Sequence, residues 1–197
     1  MYNKKQTYKS SPFGKGRNPS LNACVGQNGG PYDYASYGVG YFQAGNLIGR
    51  YIVETRDASG ELPIDIAFYP LLYMYRQGSE LMMKHFIYDK KNAPENPGQH
   101  NLKKLWKKAK SELLNLFKQQ YGLNESSEYI TKIENFILKL HELDPEGEVM
   151  RFPEDIAKNK FLQEYSIINI EPIYTDGLEV SRIFEILAHG REELGFM

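Results

Sequence analysis

Apolar residues recur at three- and four-residue spacing through most of the chain after residue 33, a pattern typical of helices that bury one face. Five such segments are present. They span residues 34–52, 64–88, 102–121, 128–143 and 177–194. Because the loops between the first four are short to moderate in length, the sequence predicts an all-α fold, an antiparallel bundle of four to five helices.

The regions outside these helices differ in character. Residues 1–33 are interrupted every few positions by proline and glycine, which predicts an irregular N-terminal arm packed on a bundle domain of residues 34–197. Two segments further along, 149–153 and 166–172, are bounded by proline, and the second is rich in isoleucine. They are predicted to be short extended insertions between helices.

The second helix is predicted to be the most buried, because residues 69–75 are apolar on nearly all sides. Pro70 predicts either a kink or a helix start close to that residue. Arg76, Glu80 and Lys84 follow at four-residue spacing and share one face, so Glu80 can bridge both cations. This group is either a structural ion pair or part of a binding site, since buried charges must be paired.

The third helix begins with a basic segment. Asn101 is expected to be its N-cap, and His100 is either solvated or folded back onto the face that carries Arg76 and Glu80. Five lysines follow within the first turns. They are Lys103, Lys104, Lys107, Lys108 and Lys110. These lysines form either an ordinary solvated face or a strip that binds phosphate.

Composition limits the possible functions. The chain has 24 Lys and Arg against 25 Asp and Glu, so nucleic-acid binding through bulk charge is disfavoured, although a local basic patch remains compatible. The single cysteine, Cys24, excludes an internal disulfide and a thiolate zinc cluster, and no histidine has metal-ligand spacing, so no metal or cofactor is expected. No apolar run is long enough to span a membrane, and the basic N-terminus lacks the apolar segment of a secretory signal. These features predict a cytoplasmic protein without membrane association.

Arg182 and His189 form a second candidate site on the last predicted helix. Seven residues apart, they return to within about 20° of the same face. A guanidinium can hold a phosphate while an imidazole moves a proton, which is the pairing that phosphodiester chemistry requires. The alternative is that both are ordinary surface residues.

Three segments in a fixed order resemble HEPN-like helical-bundle proteins of bacteria. They are Tyr-Arg-Gln-x2-Glu-Leu-x2-Lys within residues 69–84, Gly-Gln-His-Asn-Leu within 98–106, and Met-Arg-Phe-Pro at 150–153. The resemblance covers roughly residues 34–194. It implies a four- to five-helix bundle, commonly dimeric, often found in toxin–antitoxin and phage-defence settings.

Catalytic members of that family are metal-independent ribonucleases with an Arg-x4-6-His motif. In this chain Arg182 and His189 have that spacing, and Ile183 stands where the family usually has a polar residue. The resemblance therefore implies an endoribonuclease in which a homodimer brings Arg182 and His189 to a shared cleft.

Two functional hypotheses follow from the sequence. In the first, the protein is a binding module for RNA, a nucleotide or a protein partner, and a polar face supplies the contacts. The residues of that face are Arg76, Glu80, Lys84, His100 and Arg151. In the second, it is the endoribonuclease just described. The first hypothesis is preferred.

Overall fold

The computed structural model describes residues 18–25, 33–55, 63–88, 100–122 and 128–193. These ranges contain five α-helices. They are α1 (Tyr34–Thr55), α2 (Ile64–Ile87), α3 (Leu102–Tyr121), α4 (Glu128–Leu143) and α5 (Ile170–Glu193). Within the described ranges there is no β-strand, and the isolated antiparallel bridge between Glu154 and Lys160 is the only β-type pairing. The predicted all-α bundle is confirmed.

The chain divides into two units, residues 1–32 and residues 33–197. In the first unit the structure describes residues 18–25, which include a short 3-10 helix at Pro19–Leu21. Its cap is the side-chain oxygen of Asn18, which accepts a hydrogen bond from the Ser20 N–H at 3.2 Å. Most of the predicted N-terminal arm lies outside the described residues, so its packing on the bundle stays a prediction.

Helices α1 and α2 run in opposite directions and approach closely at glycines. Gly38 faces Met82 and Gly45 faces Tyr75, so residues that come later in α1 meet residues that come earlier in α2. A Cβ atom at Gly45 would lie 2.8 Å from the Tyr75 ring, which is too short for a real contact. Tertiary packing therefore holds α1 in place despite its glycines, each of which weakens an isolated helix by about 1 kcal/mol.

The second helix carries much of the core, as the sequence predicts. Leu71, Tyr75 and Met82 are completely buried. The helix begins at Ile64 and continues through Pro70, so the proline does not mark its start.

The fifth helix begins at Ile170, seven residues earlier than predicted. The Asn169 side chain accepts a hydrogen bond from the Glu171 N–H at 3.1 Å, which caps the helix. Pro172 then occupies the first turn, where a missing N–H leaves no helical hydrogen bond unmade. The isoleucine-rich segment that suggested a strand is therefore an irregular stretch followed by the start of a helix.

The other predicted extended segment, 149–153, is also different in the structure. The N–H groups of Arg151 and Phe152 both donate to the Glu148 carbonyl, at 2.9 and 3.0 Å. These bonds form a tight turn over residues 148–152, in the connection that follows α4. The turn brings residues from this connection to the side of α2.

Candidate functional site

Arg76, Glu80 and Lys84 form a buried ion cluster on successive turns of α2. The Lys84 Nζ donates to Glu80 Oε1 at 2.8 Å, and Arg76 Nη1 lies 3.4 Å from Glu80 Oε2. Lys84, the most exposed of the three, is only 5% exposed. The bridging role that four-residue spacing predicts for Glu80 is therefore present, in a setting where unpaired charge would be costly.

Asp144, the residue that follows α4, is the second carboxylate of the cluster. Arg76 Nε donates to the Asp144 backbone carbonyl at 3.2 Å and lies 3.3 Å from Asp144 Oδ2. The other carboxylate oxygen, Oδ1, accepts hydrogen bonds from the N–H groups of Glu148 and Val149, at 2.8 and 3.1 Å. One buried side chain thus shapes the turn after α4 and holds that turn against α2.

Sequence reasoning missed this role of Asp144. The Asp-Pro-Glu-Gly motif at 144–147 marks the end of α4, and an aspartate in such a turn commonly binds nearby backbone N–H groups. That local signal was available from the sequence. The pairing with Arg76 was not, because the partner lies 68 positions earlier in the chain.

Gly147 provides a flat surface for the Arg76 guanidinium. Its φ of +82° lies in the left-handed region that favours glycine. A Cβ atom at this position would lie 3.0 Å from Arg76 Nη1, so a side chain here would press on the buried guanidinium. The carbonyl of Gly147 accepts a hydrogen bond from Arg151 Nε at 2.6 Å. Arg76 and Arg151 therefore contact the same peptide, Arg76 from the core and Arg151 from the exposed side.

His100 connects the cluster to the start of α3. Its backbone carbonyl accepts from Arg76 Nη2 at 2.9 Å, and its Nδ1 lies 3.0 Å from Glu80 Oε1. The His100 side chain remains 62% exposed. His100 is thus folded back onto α2, one of the two alternatives that the sequence left open, and its ring faces both the cluster and solvent.

The predicted binding residues therefore occupy two kinds of position. Arg76, Glu80 and Lys84 are buried and bind one another, so they hold neighbouring elements in place. His100 and Arg151 are the members of the set that reach solvent. A ligand would meet these two side chains, whose backbones the buried cluster orients.

Exposed lysines cover the first turns of α3. Lys103, Lys104, Lys107 and Lys108, here called the α3 lysine strip, are all exposed. None of the four has an ion pair among the residues that the structure describes. Other lysines do: Lys110 pairs with Glu134, Lys132 with Glu128 and Glu179, and Lys139 with Asp176.

The α3 lysine strip lies at the positive end of a helix dipole. Asn101 caps α3 by accepting a hydrogen bond from the Lys104 N–H at 3.1 Å, and no acidic residue occupies the first turn. Cations near a helix N-terminus are unfavourable by a few tenths of a kcal/mol each when exposed. The local charge at the start of α3 is therefore positive.

His141, on the last turn of α4, is in the positive field of the same region. Its pKa is lowered below the ordinary value of histidine by burial, and further by the positive charges of Lys103 and Arg76. The neutral imidazole is therefore favoured. No residue from the described part of the chain forms a hydrogen bond with its buried Nδ1.

Arg182 and His189 are both exposed on α5. Ile186, midway between them, is 57% exposed, so the three residues follow one solvent-facing side of the helix. The two candidate catalytic residues are separated by about 10 Å along the helix axis. Long side chains at that separation can approach a common phosphate.

Comparison with protein-family models, with curated proteins and with solved structures finds no match to this chain. None of the helices described combines the length and the apolar character that crossing a membrane requires. Among the described residues there is also no group of three or more His, Cys, Asp or Glu residues placed to hold a metal ion.

Proposed function

We propose that this protein is an RNA-binding module that holds the phosphate backbone along the α3 lysine strip, with His100 at its edge. The observation that carries the proposal is the exposure of four neighbouring lysines without ion-pair partners in the described chain. The near-zero net charge does not oppose it, because phosphate contacts depend on the local concentration of cations.

The buried ion cluster supports the strip by holding the start of α3 against α2. Arg76 binds the His100 carbonyl, and the next residue, Asn101, caps the helix. A helix whose first turn carries several positive charges tends to fray. The bond from Arg76 to the His100 carbonyl therefore helps to keep the lysines on an ordered helix. The cluster is in this way a positioning device for the binding surface.

Salt dependence gives the proposal a quantitative form. If each of the four lysines contacts one phosphate, log Kd changes by about 2.8 per decade of salt concentration, using about 0.7 per phosphate for a single strand. Affinity should therefore fall about fifty-fold between 50 and 200 mM salt. A shallower dependence would mean that fewer phosphates are bound.

The test is fluorescence anisotropy with a labelled single-stranded RNA of mixed sequence across that salt range. The Lys103→Gln/Lys104→Gln variant should weaken binding and halve the salt dependence, to about 1.4 per decade. The matched control, Lys118→Gln/Lys139→Gln, removes the same charge from exposed positions outside the strip and should retain the wild-type dependence. Equal losses in both variants, or no RNA binding by the wild type, would contradict the proposal.

The same incubations test the ribonuclease alternative. As a binding module, the protein should leave the labelled RNA intact, and Arg182→Ala and His189→Ala should bind like the wild type. Cleavage that both substitutions abolish would favour the endoribonuclease, and the affinity measurements would then need a non-cleavable strand.

A further inference from the structure

The connection between α4 and α5 encloses a pocket with Tyr69 of α2. Its volume is about 410 Å³, and most of its lining comes from residues 149–153 and 160–163. Pockets that bind small molecules commonly have volumes of about 300–1,000 Å³. We call this feature the 149–163 pocket.

The lining combines aromatic rings with positive charge. Tyr69, Phe152 and Phe161 contribute three rings, and Arg151 and Lys160 contribute two cations. No aspartate or glutamate is part of the lining. A pocket with this composition favours a ligand that has a flat apolar body and a negative charge.

Glu154 and Asp155, the two carboxylates that follow Pro153 in the chain, are already bound to other groups. Glu154 accepts from the Lys158 Nζ at 2.6 Å. Asp155 accepts from the N–H and the side-chain amide of Asn159, at 2.9 and 2.8 Å. Neither Arg151 nor Lys160 has an ion pair within the part of the chain that the structure describes. The positive charge of the pocket is therefore not neutralised by these neighbours.

Arg151 is held in place before any ligand binds. Its Nε donates to the Gly147 carbonyl, and its guanidinium lies 5.3 Å from the centre of the Phe152 ring. Among the described residues, the two terminal nitrogens of Arg151 have no hydrogen-bond partner. This arrangement leaves the paired donors that recognise carboxylate, sulfonate or phosphate groups.

Two other lining residues are also held in place. The N–H of Val149 donates to the buried Asp144 side chain. Leu162 has a φ of +56°, a conformation that is unfavourable for a bulky residue. Hydrogen bonds on either side keep it there, from the Phe161 N–H to Pro153 and from the Tyr165 N–H to the Leu162 carbonyl.

We propose that the 149–163 pocket binds a small organic anion with a planar apolar body. The anionic group contacts Arg151 and Lys160, and the apolar body lies among the rings of Tyr69, Phe152 and Phe161. This site is separate from the α3 lysine strip, and the proposal does not depend on RNA binding.

A second pocket serves as an internal comparison. It has a volume of about 370 Å³ and is lined mainly by apolar residues of α2, α4, α5 and residues 165–169, including Leu72, Leu140 and Ile173. The charged residues in its lining, Lys139 and Asp176, form an ion pair with each other at 3.1 Å. It therefore offers apolar contact without net positive charge.

The test uses two fluorescent probes that share an aromatic body and differ in charge. They are 8-anilinonaphthalene-1-sulfonate, an anion, and N-phenyl-1-naphthylamine, which is neutral. Arg151→Met should weaken binding of the anionic probe about tenfold, as loss of charged hydrogen bonds predicts, and should change binding of the neutral probe less than about twofold. Lys160→Met should have the same selective effect, and Lys139→Met, beside the other pocket, should have none.

The outcomes separate the possibilities. If Lys139→Met weakens binding of the anionic probe and neither Arg151→Met nor Lys160→Met does, the probe binds in the second pocket. That result would overturn the proposal. If Arg151→Met and Lys160→Met weaken binding of the anionic and the neutral probe equally, these residues do not recognise charge. That result would also overturn the proposal. Since Lys160 is exposed and contributes its backbone to a single β-bridge, Lys160→Met keeps the test valid if Arg151→Met fails to fold.

Discussion

Neutralising Glu80 tests whether the buried ion cluster is held together by charge balance. Arg76 and Lys84 are balanced by Glu80 and Asp144, all of them buried. Glu80→Gln keeps the shape of the side chain but leaves two buried cations against one carboxylate. Removing one partner of a buried ion pair typically destabilises a protein by about 3–5 kcal/mol.

Adding Lys84→Met to Glu80→Gln should restore part of the lost stability. Lys84→Met alone leaves an excess negative charge and should also destabilise the fold. In the double variant Arg76 and Asp144 balance each other again, and Met has nearly the volume of the lysine stem that it replaces. We therefore expect Glu80→Gln/Lys84→Met to be more stable than Glu80→Gln alone by about 2 kcal/mol, since restoring balance removes about half of the penalty for one unpaired charge.

The assay is urea unfolding followed by circular dichroism, with the four proteins arranged as a double-mutant cycle. The matched control is the same cycle at Glu134 and Lys110, which pair at 3.0 Å between α4 and α3 but are 32% and 38% exposed. That cycle should give a coupling energy below about 1 kcal/mol. The reasoning is refuted if the Glu80 and Lys84 substitutions are additive, or if the two cycles give equal coupling energies.

Three further predictions concern Gly147, His141 and the α3 lysine strip. Gly147→Ala should lower the free energy of unfolding by about 2 kcal/mol, because the left-handed φ is unfavourable for alanine and its Cβ would press on the Arg76 guanidinium. Gly40→Ala, at a position on α1 with open space around it, should raise the free energy of unfolding by up to about 1 kcal/mol. Chemical denaturation measures both changes. The pKa of His141 is lowered in the folded state, so the unfolded state binds more protons below about pH 6.5. The free energy of unfolding should therefore fall as the pH decreases from about 7 to about 5. In His141→Gln the free energy of unfolding should fall less over the same range. At low salt, Lys103→Gln/Lys104→Gln should raise the free energy of unfolding by about 0.5 kcal/mol, because it relieves the helix dipole; a decrease would contradict the dipole argument.

The parts of the fold that depend on local pattern could be predicted from the sequence. Three- and four-residue periodicity located the five α-helices of the described residues, and the Asn101 cap and the glycine that ends α3 at residue 122 set the limits of α3 closely. The start of α5 was wrong by seven residues. There the isoleucine-rich segment gave a strand-like signal, and the capping by Asn169 proved stronger.

In the candidate site, too, local features could be predicted from the sequence and tertiary ones could not. Four-residue spacing on α2 was enough to predict the pairing of Glu80 with Arg76 and Lys84. The contribution of Asp144 depends on how α4 ends against α2, a tertiary relation that no local pattern contains. The same holds for the 149–163 pocket, because its rings and cations come together only when the chain turns back toward Tyr69.

The α3 lysine strip and the buried cluster make opposite contributions to stability, and this opposition supports the proposal that the strip binds an anion. Lysines at the start of a helix weaken it, whereas Lys118 in the last turn of α3 has the favourable position. If the basic residues served only solubility, the favourable end would suit them equally well. Their concentration at the unfavourable end, beside a helix start that Arg76 holds through the His100 carbonyl, is expected where a surface is selected for binding anions.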